Sequence, residues 1–196
     1  MFIPTDSPTG HFTLLPMPRE FFETPPPFGG GALLVLNKFA NNSASLRAEH
    51  MLGIQLAAAQ AAATFGPNTG SLEVYGLTDR TGSEKLNKEL SGRRARAALE
   101  ALRGVMGLGD FRATFANGLG ERFAAEYFAL VDNTRDDMFR GVACYLWESF
   151  TMARDPVLRL EISFATQPTG GSPRRRTFLA ALHMGRLRAQ PTSPFA

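Results

Sequence analysis

Two oppositely charged side chains, Asp79 and Arg94, are the residues of this chain best placed for chemistry. Asp79 comes just after an apolar stretch, in a segment with the composition of a turn. Ser91 is a favourable N-cap residue, so we expect Arg94 in the first turn of a helix, beside the loop that carries Asp79. A helix start offers free backbone N–H groups and the positive end of the helix dipole. The arrangement therefore predicts a binding site for a ligand that carries a carboxylate.

A strand, a turn and a helix must position these two charges. The strand is predicted over residues 72–75, because leucine, valine and tyrosine favour β structure. Gly76 and Gly82 mark the turn that follows it. The helix is expected from Ser91, or from as early as Glu84, to Arg103. Its inward-facing residues are predicted to be Ala95, Ala98, Leu99 and Leu102.

The pattern T-D-x-x-G, followed by N-x-x-L-S-x-x-R-A and an apolar helix, resembles the OmpA-like peptidoglycan-binding domain family. Two flanking segments support the resemblance. Residues 118–121 look like the family's G-x-G-E turn after its third strand, and residues 158–162 look like its closing R-R-V-E-I strand. The residues that carry the central pattern are Thr78, Asp79, Gly82, Asn87, Leu90, Ser91, Arg94 and Ala95.

The resemblance implies a pocket for meso-diaminopimelate, a zwitterionic residue of the peptidoglycan stem peptide in many Gram-negative bacteria. Asp79 would take the ligand ammonium, and Arg94 would hold its carboxylate in a two-pronged, charge-assisted contact. The backbone of residues 76–81, which includes Gly76 and Thr78, and the side-chain amide of Asn87 would complete the pocket. Such a pocket binds without chemical conversion, so it requires no nucleophile and no general base.

A third charged residue, Arg159, is a further candidate ligand contact. It stands where the family places an arginine on its last strand, close to the ligand cleft. The family usually has two adjacent arginines there, and Leu158 occupies the first of these positions in this chain. The cleft is therefore expected to be less positive than in the family. Glu121 is expected to hold its turn and not to bind ligand.

Composition and spacing exclude most catalytic classes. Cys144 is the only cysteine, so an internal disulfide and a cysteine-based zinc site are both excluded. His11, His50 and His183 lack the spacing of metal ligands. The chain contains no G-x-S-x-G motif and no phosphate-binding P-loop. We therefore expect no enzyme activity, no cofactor and no metal.

Charge and hydropathy limit the partners. The net charge of +3 is small for 196 residues, so we expect no nucleic-acid partner. No segment approaches the roughly 18 apolar residues that span a bilayer. The basic cluster at residues 174–176 is interpreted as a solvated face, with anionic lipid or nucleic-acid phosphate as the alternative partner.

The predicted fold class is α/β, a β-α-β-α-β-(α)-β two-layer sandwich with a four-stranded mixed sheet, as the resemblance implies. The continuous apolar run at residues 32–36 predicts a strand buried on both faces. Ser45 is expected to cap a first helix over residues 46–63. Residues 137–151 fit either a helix or a strand, and the helix is favoured. The remaining strands are predicted at residues 111–115 and 156–164.

Three regions are predicted along the chain. Residues 1–30 form an arm rich in proline and glycine, extended and with its phenyl rings packed on the domain surface. Residues 31–166 form the OmpA-like domain, and residues 167–196 are a linker and a basic tail. No secretory signal is recognisable at the N-terminus. The resemblance nevertheless implies the periplasm or the cell envelope, at the outer membrane.

Two functions from different classes follow. The first is non-enzymatic, noncovalent binding of peptidoglycan that anchors a protein to the cell wall. The alternative is an OmpA-like structural or protein-interaction module of a larger assembly that does not bind the wall. Leu158, the asparagines Asn41 and Asn42 where the family often has acidic residues, and the lack of a signal motivate it. The N-terminal arm would be its contact surface for a protein partner.

Overall fold

The computed structural model describes residues 3–16, 31–65, 70–106, 111–128, 131–137 and 139–148. These residues belong to one compact unit, Met1–Arg154, and a second unit comprises Asp155–Ala196. The predictions for the strand at 156–164, for Arg159 and for the basic tail lie outside the described residues.

The described residues build one mixed sheet of six strands with three helices. The strand order is β1-β2-β3-β6-β4-β5. All neighbours pair antiparallel except β4 and β5, which are parallel and are joined through α2, because parallel strands need a crossover connection. The elements are β1 (Thr5–Asp6), β2 (Phe12–Pro16), β3 (Gly31–Leu36), α1 (Ala48–Ala62), β4 (Gly70–Gly76), α2 (Glu84–Met106), β5 (Phe111–Gly118), α3 (Arg122–Phe128) and β6 (Val142–Glu148).

The predicted α/β class is confirmed, and from β3 to β6 the elements follow the predicted β-α-β-α-β-(α)-β order. The predicted burial of the first apolar run on both faces is also confirmed, because every residue of β3 is buried. The number of strands differs, since the sheet has six described strands and four were predicted.

The two additional strands come from the N-terminal arm. β2 pairs antiparallel with β3, so that Leu14 lies opposite Leu34. Phe12 and Leu14 point into the core and Thr13 points to the other face, which is the period-2 pattern of a strand. Pro16 ends the strand, so it interrupts no ladder hydrogen bonds in the middle.

The helix favoured for residues 137–151 is wrong, because Val142–Glu148 is the strand β6. This strand lies between β3 and β4 and pairs with both. Its residues from Val142 to Trp147 are all buried. Burial on both faces removes the polar alternation that marks a strand, and the remaining apolar spacing imitates a helix. The helix that precedes the closing strand is instead α3.

The predicted start of the first helix and the predicted capping role of Ser91 are wrong, whereas the earlier of the two starts given for the second helix, Glu84, is confirmed. The first helix begins at Ala48 with Arg47 as its N-cap residue, and Ser45 lies before it. The second helix begins at Glu84, where the hydroxyl of Ser83 accepts a hydrogen bond from the backbone N–H of Leu86. Ser83 therefore takes the capping role that was predicted for Ser91.

Ser91 instead lies where the second helix crosses the ends of two strands. A Cβ atom at Gly76 would lie 1.9 Å from the Ser91 carbonyl oxygen, and one at Gly118 would lie 2.3 Å from the Gly92 nitrogen. The Ser91 hydroxyl accepts a hydrogen bond from the backbone N–H of Gly120 (2.8 Å). Glycine at both strand ends therefore lets α2 approach β4 and β5 closely, which sets the position of the residues that follow each strand.

Helices α1 and α2 cover one face of the sheet and enclose the core. None of the described helices is both long enough and apolar enough to cross a membrane. The core residues include Phe12, Leu14, Leu34, Leu36, Phe39, Ile54, Ala57, Leu72, Val74, Ala95, Ala98, Leu102, Val142, Cys144 and Leu146.

Candidate functional site

A cleft of about 250 Å³ opens where three connecting segments meet beside α2. The segments follow β3, follow β4 and precede β6, and their contributions come together because those strands are neighbours in the sheet. The lining residues are Asn41, Asn42, Asp79, Thr81, Gly82, Leu86, Asn87, Leu90, Arg94 and Arg140.

The carboxylate of Asp79 is nearly inaccessible, with 3% of the residue exposed, and all its contacts fix its orientation. Its Oδ1 accepts hydrogen bonds from the backbone N–H (3.4 Å) and the hydroxyl (2.6 Å) of Thr81. Its Oδ2 accepts from the backbone N–H of Asp136 (3.3 Å) and from Nη1 of Arg140 (3.2 Å). A buried carboxylate requires such partners to remain charged, so Asp79 is a fixed negative point at the cleft wall.

Arg94 projects from the middle of α2 and is fully buried. Each guanidinium nitrogen donates to a backbone carbonyl: Nε to Ser43 (2.9 Å), Nη1 to Leu77 (2.9 Å) and Nη2 to Ala40 (3.2 Å). These contacts use three of the five N–H groups of an arginine. One N–H on each terminal nitrogen has no partner among the described residues.

Burial lowers the pKa of Arg94 to about 10, and the nearby Asp79 carboxylate opposes that shift. The guanidinium therefore remains charged at neutral pH. It also lies 5.3 Å from the centre of the Phe39 ring, in the position of a cation–π contact. The charge of Arg94 is thus held by carbonyl dipoles, an aromatic face and a carboxylate that lines the same cleft.

Arg140 is a cleft residue that sequence reasoning missed. Its Nη1 pairs with Asp79, and its Nε donates to the carbonyl of Phe39 (3.1 Å). It therefore ties the segment after β3 to the segment after β4, and its side chain remains 15% exposed. Because residues 137–151 were interpreted as a helix, this arginine was not expected at the start of a strand. Its position two residues before the apolar run of β6 is the sequence signal that could have identified it.

The structure brings together only part of the predicted site. Asp79, Asn87 and Arg94 line the cleft, whereas Gly76 packs under α2 and Thr78 is buried beside the cleft. The hydroxyl of Thr78 has no hydrogen-bond partner among the described residues. The side-chain amide of Asn87 donates to Glu121, which joins the turn after β5 to α2.

The cleft thus combines one carboxylate and two guanidinium groups with the asparagine side chains Asn41, Asn42 and Asn87. Such a set of groups can hold a small ligand that carries both an ammonium and a carboxylate. Within the described residues, no group of three or more histidine, cysteine, aspartate or glutamate side chains is arranged to hold a metal ion.

The sequence model of the OmpA family matches residues 38–126, a segment that contains Asp79, Asn87 and Arg94. The resemblance inferred from the pattern around these residues is confirmed over that part of the chain. None of the curated proteins matches the chain.

Among solved structures, the chain is similar to the periplasmic domain of Helicobacter pylori MotB, with 18% identity over 84% of this chain and 99% of that one and a TM-score of 0.48. It is similar to the peptidoglycan-associated lipoprotein from Burkholderia pseudomallei, with 22% identity over 57% of this chain and 86% of that one and a TM-score of 0.41. It is also similar to the OmpA-like domain of FopA1 from Francisella tularensis, with 18% identity over 65% and 79% and a TM-score of 0.40.

Proposed function

We propose, from the premise that residues 38–126 are a domain of the OmpA family, that this protein binds peptidoglycan noncovalently and anchors to the cell wall. The family is one of structural and binding domains, and its members generally bind peptidoglycan. The single observation that carries the proposal is the cleft in which Asp79, Arg94 and Arg140 meet. We accordingly propose a non-enzymatic protein of the periplasm or cell envelope.

The ligand that best suits the cleft is the diaminopimelate residue of a stem peptide. Its ammonium would join Asp79, whose orientation is already fixed by Thr81 and by the backbone of Asp136. Its carboxylate would take the N–H groups of Arg94 that have no described partner, and Arg140 would add positive charge at the entrance. A planar guanidinium that is already fixed loses little freedom on binding, which favours affinity.

The alternative function, a protein-interaction module that uses the N-terminal arm, has less support. In the described part of the arm, β2 is paired along its length with β3, and β1 is paired with β2. β2 therefore lies inside the sheet between β1 and β3, and Phe12 and Leu14 lie in the core.

The proposal is tested by sedimenting purified sacculi with wild type and with Asp79→Asn. This change keeps the shape of the side chain and removes its charge. Because truncating one partner of a buried charge pair typically costs about 2–5 kcal/mol of binding, we expect retention to fall at least tenfold. Asp132→Asn, at a side chain that is 64% exposed, is the matched control and should bind like wild type.

Wild type that remains in the supernatant would overturn wall binding. Equal retention of wild type and Asp79→Asn would show that peptidoglycan binds outside this cleft. Thermal unfolding of each variant, measured in the same buffer, separates a lost contact from a lost fold.

A further inference from the structure

We infer that His50 is a positioning residue of the cleft, which holds residues 37–43 in place only while its imidazole is neutral. Residues 37–43 are called the cleft loop below, since Asn41 and Asn42 belong to it and line the cleft. The consequence for ligand affinity rests on the proposed function. The effect on the cleft loop does not, and it can be measured without ligand.

The cleft loop is held by side chains that reach its backbone from three other places in the fold. Lys38 and Asn42 both have positive φ angles, of 59° and 51°, a conformation that L-residues other than glycine adopt at a cost. The fixing contacts are donated by His50 Nε2 to Asn37 (2.6 Å), by Arg140 Nε to Phe39 (3.1 Å), by Arg94 Nη2 to Ala40 (3.2 Å) and by Arg94 Nε to Ser43 (2.9 Å), each to a carbonyl oxygen.

The hydrogen bonds of His50 require its neutral form. The carbonyl of Asn37 can only accept, so Nε2 carries a proton. The backbone N–H of Arg47 donates to Nδ1 (3.2 Å), so Nδ1 must be unprotonated. A second proton would turn this contact into one between two donors. It would also put a positive charge in the first turn of α1, where the helix dipole disfavours it.

Phe39 connects His50 to the two cleft arginines. Its ring stacks on the imidazole with 4.5 Å between centroids, and the Arg94 guanidinium lies 5.3 Å from the same ring. The carbonyl of Phe39 accepts the hydrogen bond from Arg140. Displacement of the imidazole therefore removes a packing partner from Phe39, which contacts both arginines.

The surroundings of His50 favour the neutral imidazole. Burial lowers the pKa of His50, the hydrogen bond to the Asn37 carbonyl opposes this, and His11 and Arg47 lower it further while Glu49 raises it. The His11 ring lies 5.8 Å from the His50 ring, edge-on. These are the titratable and charged groups that act on the imidazole among the described residues. Together with burial they lower the pKa of His50, which favours the neutral form.

The sign of the pH effect follows from this direction. An unfolded chain takes up a proton on this histidine near pH 6.5, and the folded chain resists until a lower pH. The intact cleft loop therefore loses stability as the pH falls from about 6.5 toward the lower folded-state pKa of His50, by up to about tenfold per pH unit, and the loss levels off below that pKa. Apparent affinity falls in proportion to the fraction of the protein whose cleft loop remains intact.

The first test follows the full chain without ligand by NMR from pH 8 to pH 4.5. We expect the backbone amides of Asn41 and Asn42 to shift with the same midpoint as the His50 imidazole. In His11→Gln the response should persist, which excludes the neighbouring ring as its source. Amides in the cleft loop that do not follow the imidazole would overturn the inference, and this result needs no variant at position 50.

The second test measures binding to purified sacculi over the same pH range with wild type and His50→Gln. Glutamine can still donate to the Asn37 carbonyl but cannot titrate. As the pH is lowered, we expect the affinity of wild type to fall more steeply than that of the variant, since the two proteins differ only at position 50. Superimposable pH profiles would overturn the inference. If wild type fails to bind at every pH, the proposed function fails, and the ligand-free titration still decides the role of His50.

Discussion

At the scale of single residues, Arg94 combines two roles that are usually separate. It is buried like a core side chain, and it donates hydrogen bonds to three carbonyls in the two loops that follow β3 and β4. A guanidinium suits this position because its donors are fixed in one plane, whereas an ammonium concentrates its donors at one point. Arg94, which was predicted only to bind ligand, therefore also joins the two loops that border the cleft.

The substitution Arg94→Lys separates these roles. Lysine keeps the charge but cannot reach carbonyls in three directions, so we expect the free energy of unfolding to fall by about 3 kcal/mol. Urea denaturation measures this, and Arg93→Lys, at an exposed position one residue away, should change it by less than about 0.5 kcal/mol. Unchanged stability with lost wall binding would instead assign Arg94 to the ligand alone.

At the scale of elements, the cleft depends on how closely α2 approaches the sheet. Ser91 packs against the ends of β4 and β5, and a side chain at either glycine would overlap helix atoms. The distance between helix and sheet sets where Asn87 and Arg94 stand relative to Asp79. A small shift of α2 would therefore change the distances among Asn87, Arg94 and Asp79.

The substitution Gly76→Ala tests this dependence. Its Cβ atom would meet the Ser91 carbonyl at 1.9 Å, so helix or strand must move, and we expect a loss of about 2–4 kcal/mol in the free energy of unfolding. Gly104→Ala, in helix α2 and with no atom within 4 Å of the added Cβ, should be stabilising by up to about 1 kcal/mol. Thermal unfolding should show a lower melting temperature for Gly76→Ala and a higher one for Gly104→Ala. A change of the same sign in both variants would contradict the close approach of α2 to β4.

At the scale of the whole molecule, the N-terminal arm is part of the architecture. β2 lies along β3, and Phe12 and Leu14 contribute to the main core. Phe12 also lies against α1, because a Cβ at Gly53 would meet its ring at 2.6 Å. Residues 5–16 therefore help to hold together a sheet that also carries the cleft.

The substitution Leu14→Ala measures this contribution. Leu14 is fully buried, so the change should lower the free energy of unfolding by about 2–5 kcal/mol. Ile3→Ala, at a residue that is 65% exposed, is the control and should leave it nearly unchanged. Equal midpoints in urea for both variants would show that the arm does not contribute to the stability of the sheet.

The sequence predicted the elements whose patterns are local. The apolar run of β3 and the strand-turn-helix unit around Asp79 both have such patterns, and the structure contains both. β6 was misassigned because burial on both faces leaves no alternation to detect. The partners of Arg94 were also invisible, because they are main-chain carbonyls, which every residue possesses. Arg140 was missed because β6 was misassigned, since the position of this arginine follows from its place just before that strand.

The strand order has a consequence for synthesis of the chain. β6 lies between β3 and β4, yet it is the last of the six described strands to be translated. Until residue 148 has left the ribosome, β3 and β4 have no central partner, and each presents an open edge with apolar residues. Unpaired edges of this kind recruit other strands, and long-range pairing forms slowly. The nascent chain is therefore most prone to aggregation in the interval between the synthesis of β4 and that of β6.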